Sequence, residues 1–479
     1  YERFQSEGDF TYLDDMGTTH NPSDDRIETR ENNDFASNSL FLKMTFDPDE
    51  RTRISASNVF FNKGQGIPGL GSRTSLTARL ETWRDMVSVT AERDFASAPG
   101  LFGHADLFFD FLNSQFSDPQ GNIGVGGPQD NDDNTYRGGL NGRLSYAWGS
   151  HQILRFFAAG RGEFYLPDNR TATPPGGPHS RRYTVAAGAE DEIKFFSERL
   201  VVVPSLRLTS LFNDLVNQLP QSPSVVLSTN RRSDYQLSAK LGLKARLVSE
   251  LYFKGNFYRG FRNPSFSELF GNRGTIVGNP ELRPEEALNF DAGLAYHYKG
   301  DELAADAEAT YFRNDVRARI QYVQTSQFTV RPQNVGRALI QGAELSARLS
   351  FGTRFGAYAS YTFEDARNTG GSPATEGKAI PGRPRHELAS GANWKEVWLP
   401  WLSTRLFADL NFISGNYLDT QNLIRVNSRT LLAAGLTASF VDAVSVTFTV
   451  KNILNDRIED VVGYPLPGRS YWGTIELRI

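Results

Sequence analysis

The chain has 479 residues, no cysteine, a formal net charge of −4 and a negative mean hydropathy. The lack of cysteine excludes a disulfide framework and Cys-ligated metal sites, and the small negative charge gives no case for a nucleic-acid partner. No apolar run approaches the roughly 18–20 residues of a spanning helix, which excludes a helical membrane protein. Aromatic residues reach 12% and glycines number 43, which suits many strands and turns.

Taken in chain order, the polar connections between strand-like segments alternate between very short and very long. The short ones are 47–50, 149–150, 197–198, 249–250, 299–301 and 352–353. The long ones are 14–33, 117–135, 166–180, 214–232, 260–286 and 367–384. Short turns on one side and long loops on the other are typical of transmembrane barrels, whereas a soluble domain rarely carries so many long loops.

The segments between these connections alternate apolar and polar residues with a period of two. In 235–247, Leu237 and Leu241 fall on one face and Lys240 and Lys244 on the other, and 339–351, 402–412 and 444–451 repeat the pattern. These runs exceed the usual 5–6 residues of a soluble strand and suit the roughly 9–11 residues of a tilted membrane strand. We therefore predict an all-β fold, a transmembrane antiparallel β-barrel with about twenty strands in this chain.

Aromatic residues near the predicted strand ends are candidates for the two interfacial girdles of such a barrel, although ordinary packing would account for any one of them. They are Tyr252, Tyr258, Tyr296, Tyr298, Trp394, Trp398, Trp401 and Trp472.

Several strings at the strand–loop boundaries resemble one family, and they occur in that family's order. They are YRGFRNPSFSELFG (258–271), VGNPELRPEEALNFDAGL (277–294), NVGRALIQGAEL (334–345), IPGRPRHEL (380–388), VKNILNDRIED (450–460) and GYPLPGRSYW (463–472). Together they resemble the barrel of the TonB-dependent receptors, with the cobalamin and siderophore receptors as the nearest subgroup.

This resemblance implies a 22-stranded barrel in the outer membrane of a Gram-negative bacterium, with no enzymatic activity and no cofactor. Its partners would be outer-membrane lipid, a small-molecule nutrient or metal chelate, TonB acting through an N-terminal plug, and other outer-membrane or periplasmic proteins. The plug and the first two strands are not recognised in the chain, so we expect residues 1–479 to form one barrel domain. We also expect that the segment at Tyr1 does not pair directly with the segment 470–479.

The resemblance also suggests roles for charged and aromatic residues. In this family the charges of the inner wall mostly hold the plug, and we expect them to find partners there rather than in the wall; the candidates are Lys244, Arg246, Glu308, Glu344 and Arg348. Loop residues near the mouth could bind an anionic or aromatic-rich ligand. The candidates are Arg262, Phe266, Arg273, Arg331, Arg383, Tyr417 and Arg425. Residues that match the family pattern are interpreted as architectural: Arg262, Glu268, Asn279, Pro280, Gly336, Gly342, Glu344, Pro381, Pro384 and Asn452.

The side chains that could act as metal ligands are those of one acidic string and the six histidines. The histidines are scattered without metal-ligand spacing. The carboxylates of Asp130, Asp132 and Asp133 supply oxygen ligands of the kind Ca²⁺ prefers, but they lack the spacing of a calcium loop, and a solvated loop is the alternative.

Three functional classes follow. The first is a receptor and transporter for TonB-dependent uptake of a large scarce nutrient, such as a siderophore or cobalamin. The second is a plugless barrel that acts as a passive pore or as a structural component of an outer-membrane assembly. The third is a soluble β protein, which the strand lengths and the loop asymmetry disfavour.

Overall fold

The computed structural model describes residues 1–14, 23–70, 73–123, 127–171, 175–177, 179–219, 222–271, 276–326, 329–441, 443–456, 459–461 and 464–477. Its principal element is a single sheet of 20 strands, which confirms the predicted fold class and strand number. Among these residues, no helix is long and apolar enough to cross a membrane.

The strands of this sheet are numbered β1 to β20 along the chain. They are β1 Glu2–Ser6, β2 Phe35–Asp49, β3 Thr52–Gly66, β4 Arg79–Asp94, β5 Leu101–Asp118, β6 Gln129–Trp148, β7 Gln152–Leu166, β8 Ser180–Phe195, β9 Leu200–Leu219, β10 Ser222–Arg246, β11 Leu251–Arg262, β12 Glu285–Lys299, β13 Leu303–Ser326, β14 Thr329–Phe351, β15 Phe355–Asn368, β16 His386–Leu399, β17 Leu402–Ile413, β18 Arg429–Phe440, β19 Val444–Lys451 and β20 Ser470–Leu477. The helix α1, Phe266–Phe270, lies between β11 and β12.

Short hairpins lie in the long connections. They pair Thr11–Asp14 with Arg26–Thr29, Gly69–Leu70 with Arg73–Thr74, Asn416–Tyr417 with Arg425–Val426, and Glu459–Val461 with Tyr464–Pro465.

Each strand of the sheet pairs antiparallel with the next one in sequence, from β1 with β2 through β19 with β20. The six predicted short turns lie where such strands meet, although 47–50 includes the last residues of β2; for example, β14 ends at Phe351 and β15 begins at Phe355. Within the described ranges no register joins β1 to β20. Their separation in the intact protein stays a prediction.

The registers sort the side chains of each strand onto two faces, because residues directly opposite each other point to the same side. Leu241 lies opposite Phe257 on one face, and Lys240 lies opposite Tyr258 on the other. The polar face is the inner one, since Gln236 on that face donates a hydrogen bond of 2.7 Å to Asn263, in the connection that folds into the barrel. The apolar face, with Leu237 and Leu241 exposed, is the outer one. The periodicity therefore predicted the inside and outside of the wall correctly.

Two stretches predicted as long loops contain strand, which makes up most of 214–232 and about half of 117–135. In 214–232, β9 continues to Leu219 and β10 begins at Ser222. In 117–135, β5 ends at Asp118 and β6 begins at Gln129. Beyond the membrane no lipid contacts the outer face of a hairpin, so the strands continue along the backbone ladder without strict alternation of apolar residues. The alternation of apolar and polar residues therefore ends before the strand itself ends.

The girdle prediction is wrong for three aromatics. Tyr252 and Tyr258 share the inner face of β11, and the ammonium group of Lys244 lies 4.9 Å from the ring centroid of Tyr252. Trp472 lies opposite Thr449 on the inner face of β20, with Lys451 4.2 Å from its ring centroid. Aromatic residues at strand ends occur on both faces of the wall. Position along the strand therefore identifies an interfacial residue only when the face to which the side chain points is also known.

Candidate functional site

The connection between β11 and β12 folds into the mouth of the barrel instead of standing above it. It contains α1, whose N-cap is Ser265. The Ser265 hydroxyl accepts a hydrogen bond of 3.2 Å from the Glu268 amide, and the Glu268 carboxylate accepts one of 2.8 Å from the Ser265 amide. This reciprocal capping satisfies donors that so short a helix could not satisfy internally.

An apolar cluster holds α1 against the inner surface of the mouth. Tyr165 of β7 stacks on Phe270 with ring centroids 4.3 Å apart, and Leu269 is 1% exposed. The cluster joins three strands to the loop, and its buried members are Tyr165, Leu215, Phe266, Leu269, Leu282 and Ile320. Because these residues come from β7, β9 and β13, the loop spans the arc of wall between β7 and β13 and narrows the opening.

Arg262, the last residue of β11, clamps the two ends of this loop together. Its guanidinium donates to both carboxylate oxygens of Glu268 at 3.0 Å, and to the two oxygens of Glu285 at 2.8 and 3.0 Å. Glu285 is the first residue of β12, and it also accepts a hydrogen bond of 2.6 Å from the Ile320 amide. Planar bidentate pairing of this kind fixes geometry as well as charge, and it agrees with the architectural interpretation of Arg262 and Glu268.

The environment of Glu268 favours its charged form. Burial alone would raise the pKa of this carboxyl, but the hydrogen bonds from Arg262 and Ser265 outweigh it and hold the pKa below its usual value. The side chain therefore stays ionised at neutral pH, although the residue is only 6% exposed.

The second half of the same connection is tied to the extended hairpin of β13 and β14. The Asn279 side-chain amide donates to the Pro332 carbonyl at 2.9 Å and accepts from the Arg331 guanidinium at 3.3 Å. The Asn279 backbone amide donates to the Glu268 carbonyl at 2.9 Å, and Asn230 donates to the Pro280 carbonyl at 3.1 Å. The family-like Asn-Pro pair thus connects α1, β10 and the neighbouring hairpin, which agrees with its architectural interpretation.

A second corner of the mouth is formed by the connection between β15 and β16. The Arg383 guanidinium lies 3.2 Å from the carboxylate of Glu364, and the Gly382 amide donates to the Tyr417 carbonyl at 2.7 Å. Tyr417 pairs with Arg425 in its short hairpin. Ile380 is fully buried in a second apolar cluster with residues of β13, β14 and β15. Two neighbouring loops therefore bring Arg383, Tyr417 and Arg425 together.

The predicted ligand candidates fall into two groups. Arg262, Phe266 and Arg331 belong to the loop that carries α1 and its contacts, whereas Arg383, Tyr417 and Arg425 belong to the second corner. Arg273 lies outside the described residues. Ligand contact by any of them stays a prediction.

Sequence analysis missed three charged residues that link the two groups. Arg319 lies close enough to Glu285 and to Glu364 to interact with each, and burial, followed by the charge of Arg383, lowers the pKa of Arg319. Arg319 follows Ala318, which has a φ of 50° although the register of β13 with β14 continues unchanged past it. No sequence pattern indicates this local change of the backbone.

A row of ion pairs that sequence analysis also missed crosses the inner wall below the mouth. Asp110 accepts hydrogen bonds from Arg84 at 2.8 Å and from Arg137 at 3.0 Å. Glu163 lies 3.6 Å from Arg137 and 3.7 Å from Arg182. Arg182, 4% exposed, also donates to the Pro264 carbonyl at 2.9 Å. This row connects β4 through β8 to the inward-folded loop.

The five predicted plug-contacting residues all lie on the inner face: Lys244, Arg246, Glu308, Glu344 and Arg348. The expectation that such charges lack partners in the wall is wrong for Glu308, which accepts a hydrogen bond of 2.9 Å from Lys254. Contact of these residues with a plug stays a prediction.

The acidic string lies on β6 and not in a loop, because strand structure extends beyond the membrane there. Asp132 accepts hydrogen bonds from Arg170 and Asn113, and Asp133 accepts one of 2.7 Å from the Tyr165 hydroxyl. Asp130 lies 4.0 Å from the Arg170 guanidinium. In the part of the chain that the structure describes, no group of three or more His, Asp or Glu side chains is arranged to hold a metal ion. Calcium binding by these carboxylates stays a prediction.

Curated relatives align with part of this chain. The iron-regulated outer membrane virulence protein of Vibrio cholerae serotype O1 is 26% identical over 245 residues, which cover 46% of this chain and 36% of that protein. The vitamin B12 transporter BtuB of Photobacterium profundum is 25% identical over 241 residues, 49% of this chain and 36% of that protein. Heme/hemopexin utilization protein C of Haemophilus influenzae is 27% identical over 237 residues, 43% of this chain and 30% of that protein. The chain spans about a third of the length of the curated relatives it matches.

Solved structures share the fold over nearly the whole chain. The copper transporter OprC matches with a TM-score of 0.76 and 15% identity, over 99% of this chain and 74% of that one. The ferric preacinetobactin receptor BauA of Acinetobacter baumannii matches with a TM-score of 0.70 and 13% identity, over 93% of this chain and 72% of that one.

The family comparison covers most of the sequence. The family model for the β-barrel of TonB dependent receptor-like proteins matches residues 3–453, which agrees with the 20-stranded sheet and with the strings at its strand–loop boundaries. The chain therefore belongs to the TonB-dependent receptor family and forms the outer-membrane β-barrel of such a protein.

Proposed function

We propose that the protein containing this chain imports a large scarce nutrient across the outer membrane, and that the nutrient is a metal chelate such as a siderophore, or cobalamin. The observation that carries this proposal is the match of the receptor-barrel family model to residues 3–453. The curated relatives support it, since their names refer to iron regulation, vitamin B12 transport and heme utilisation.

The geometry of the mouth supports a receptor more than an open pore. A loop clamped by Arg262 and packed through Phe266 and Leu269 narrows the opening of the barrel. A receptor needs such order, because a preorganised site avoids the entropic cost of fixing loops when the ligand binds.

Within this mouth, we propose that Arg383, Tyr417 and Arg425 contact the ligand at one corner and that Arg331 contacts it at the other. Their guanidinium and phenol groups suit the carboxylate, hydroxamate or catecholate oxygens of a metal chelate. Arg262 and Phe266 would act indirectly, by holding the loop in place.

Energy coupling is proposed to need a plug. Inner-wall charges, among them Lys244, Arg246, Glu344 and Arg348, would pair with the plug, and TonB would act on the receptor through it. A 22-stranded barrel encloses a lumen wide enough to require such a filling segment.

The test uses protein expressed from the complete gene. Calorimetric titration with a panel of ferric siderophores and with cyanocobalamin should give one ligand that binds tightly. Arg383→Gln and Arg425→Gln should weaken its binding, whereas the control Lys395→Gln, remote from the mouth near the opposite end of β16, should not. Uptake of that ligand should stop in cells that lack TonB.

A large permanent conductance in planar bilayers, together with no binding of any chelate or corrinoid, would refute import and support the passive or structural alternative.

A further inference from the structure

The outer face of β13 and β14 carries three arginines that have no acidic partner in the described parts of the chain. Arg317 and Arg337 lie directly opposite each other in the register, and Arg313 lies opposite Gln341 on the same face. All three are exposed. Like charges directly opposite in a sheet destabilise it, so this arrangement calls for an anion from outside the protein.

Arginines elsewhere on the outer face near the mouth are neutralised within the chain. Arg181 lies 3.0 Å from Asp214, and Arg367 lies 2.9 Å from Asp365. The acid that faces Arg317 from β12 is Glu286, but it pairs with Arg259 at 2.8 Å.

The other acid near the three arginines is Asp315, which lies between Arg313 and Arg317 on the same strand face. It forms an ion pair with neither, as judged over the described residues. The three arginines therefore form a patch of net positive charge, in contrast to the balanced pairs around it.

The position of this patch relative to the membrane follows from the strand itself. The outward residues of β13 run from Leu303 to Tyr311 with apolar or aromatic side chains, and the next outward residue is Arg313. This apolar stretch has about the 9–11 residues that a tilted strand needs to cross the hydrocarbon layer. Arg313 thus lies at the level of the lipid headgroups, on the side of the long loops, and Arg317 lies farther out.

Below the arginines the same wall has an apolar groove. Ala309, Ala347 and Ala359 form its floor, and Tyr296 and Tyr361 are at its edges, with a cavity volume of about 470 Å³. This volume falls within the roughly 300–1,000 Å³ of small-molecule pockets. Because the groove opens toward the hydrocarbon layer, its occupant in the membrane is an acyl chain.

We propose that the outer wall formed by β12 to β15 binds a phosphate-bearing glycolipid of the outer leaflet. Arg313, Arg317 and Arg337 bind its phosphate groups, and the groove around Ala309 and Ala347 takes one of its acyl chains. Guanidinium groups favour phosphate through charge-assisted and bidentate hydrogen bonds. The cationic patch on β13 and β14 lies above the groove, which extends across β12 to β15, as one amphipathic molecule requires.

The experiment is native mass spectrometry of the detergent-solubilised protein, expressed from its complete gene and titrated with diphosphorylated lipid A. The same measurement is made with enzymatically dephosphorylated lipid A and with phosphatidylcholine. Binding should be strongest to the diphosphorylated lipid. Since each basic residue near an anionic lipid surface contributes about fivefold in affinity, the triple variant R313Q/R317Q/R337Q should bind it roughly a hundredfold more weakly.

Matched variants separate the two parts of the site. Arg181→Gln removes an outward arginine that is already paired with Asp214 and should leave lipid binding unchanged. Ala347→Phe should fill the groove and weaken binding, whereas Ala187→Phe, also outward and exposed, should not. Heat-modifiable migration in gels verifies that each variant is folded.

The outcomes that would overturn the proposal are specific. They are equal binding by the triple variant, equal binding of dephosphorylated lipid A, displacement of the lipid by inorganic phosphate, and formation of a dimer that excludes lipid from this face. Loss of binding in the triple variant, together with retention in Arg181→Gln, would support it.

Discussion

Glu268→Gln is expected to release the inward-folded loop from the mouth and leave the barrel intact. The substitution keeps the size of the side chain and removes its charge. Glu268 then loses the charge-assisted character of its hydrogen bonds with Arg262 and Ser265. The substitution also leaves Arg262 with only Glu285 as a charged partner.

The expected loss in free energy of loop docking follows from the hydrogen bonds that the substitution weakens. Hydrogen bonds to charged groups contribute about 1.5–3 kcal/mol and neutral ones about 0.5–1.5 kcal/mol, so each weakened contact costs about 1 kcal/mol. The Arg262 side chain is 46% exposed, and solvent screens part of its contribution. We therefore expect the substitution to weaken docking of the loop by about 1–2 kcal/mol. This loss raises the population of the open loop by roughly 5- to 30-fold.

Hydrogen exchange followed by mass spectrometry measures this directly. The amides of Leu269 and Asn279, which donate to the carbonyls of Ser265 and Glu268, should exchange faster by that factor, and β12 should not change. Glu376→Gln, an exposed substitution in another loop, is the control. Unchanged exchange in 263–271, or equal acceleration in the strands, would refute the clamp.

Three further substitutions or conditions test the same structure. Leu269→Ala should destabilise docking of the loop by about 2–5 kcal/mol, because the side chain is buried in the apolar cluster, and limited proteolysis should then cut the loop first. Because the pKa of Glu268 is depressed, its contribution to the stability of the docked loop is complete above the usual carboxyl pKa and is lost as pH falls through the native pKa. Relative to Glu268→Gln at the same pH, amide hydrogen exchange in the loop of the natural protein should accelerate over that pH range. Leu241→Arg, on the lipid face, should cost about 2–4 kcal/mol in refolding into vesicles, whereas Lys240→Arg, on the inner face, should change little; equal losses would contradict the assignment of the faces.

The wall of the barrel was predictable because it obeys one local rule. Lipid on one side and an enclosed lumen on the other impose alternation on every residue that crosses the membrane, and a shift of one residue would reverse every side chain. Leu241 and Lys240 illustrate this, since their parity in the sequence alone places them on opposite faces. The short turns follow from the same rule, because they end each run of alternation.

The mouth was not predictable in the same way. Its contacts join residues far apart in sequence, as when Tyr165 stacks on Phe270 or Arg182 donates to the Pro264 carbonyl. Outside the membrane no solvent boundary imposes a pattern, so strand, helix and loop there depend on tertiary contacts. The family-like strings identified Arg262, Glu268 and Asn279 as architectural, but they could not show which partners those residues have.

Charged residues on the outer face are only partly predictable, because alternation gives the face of a side chain but not its depth in the membrane. On β13, parity places Arg313 and Arg317 on the outer face as firmly as it places Tyr311 there. Alternation says nothing of depth, and the energy of an outward charge depends on depth: a cost of about 2–4 kcal/mol at the midplane falls to about 0–1 kcal/mol at the interface. Only the count of residues from the short turn before Leu303 shows that the arginines lie where the cost vanishes and lipid phosphate becomes available. The same residue type that would destabilise the barrel at Ala307 is therefore tolerated at Arg313, where the proposed lipid phosphate can pair with it.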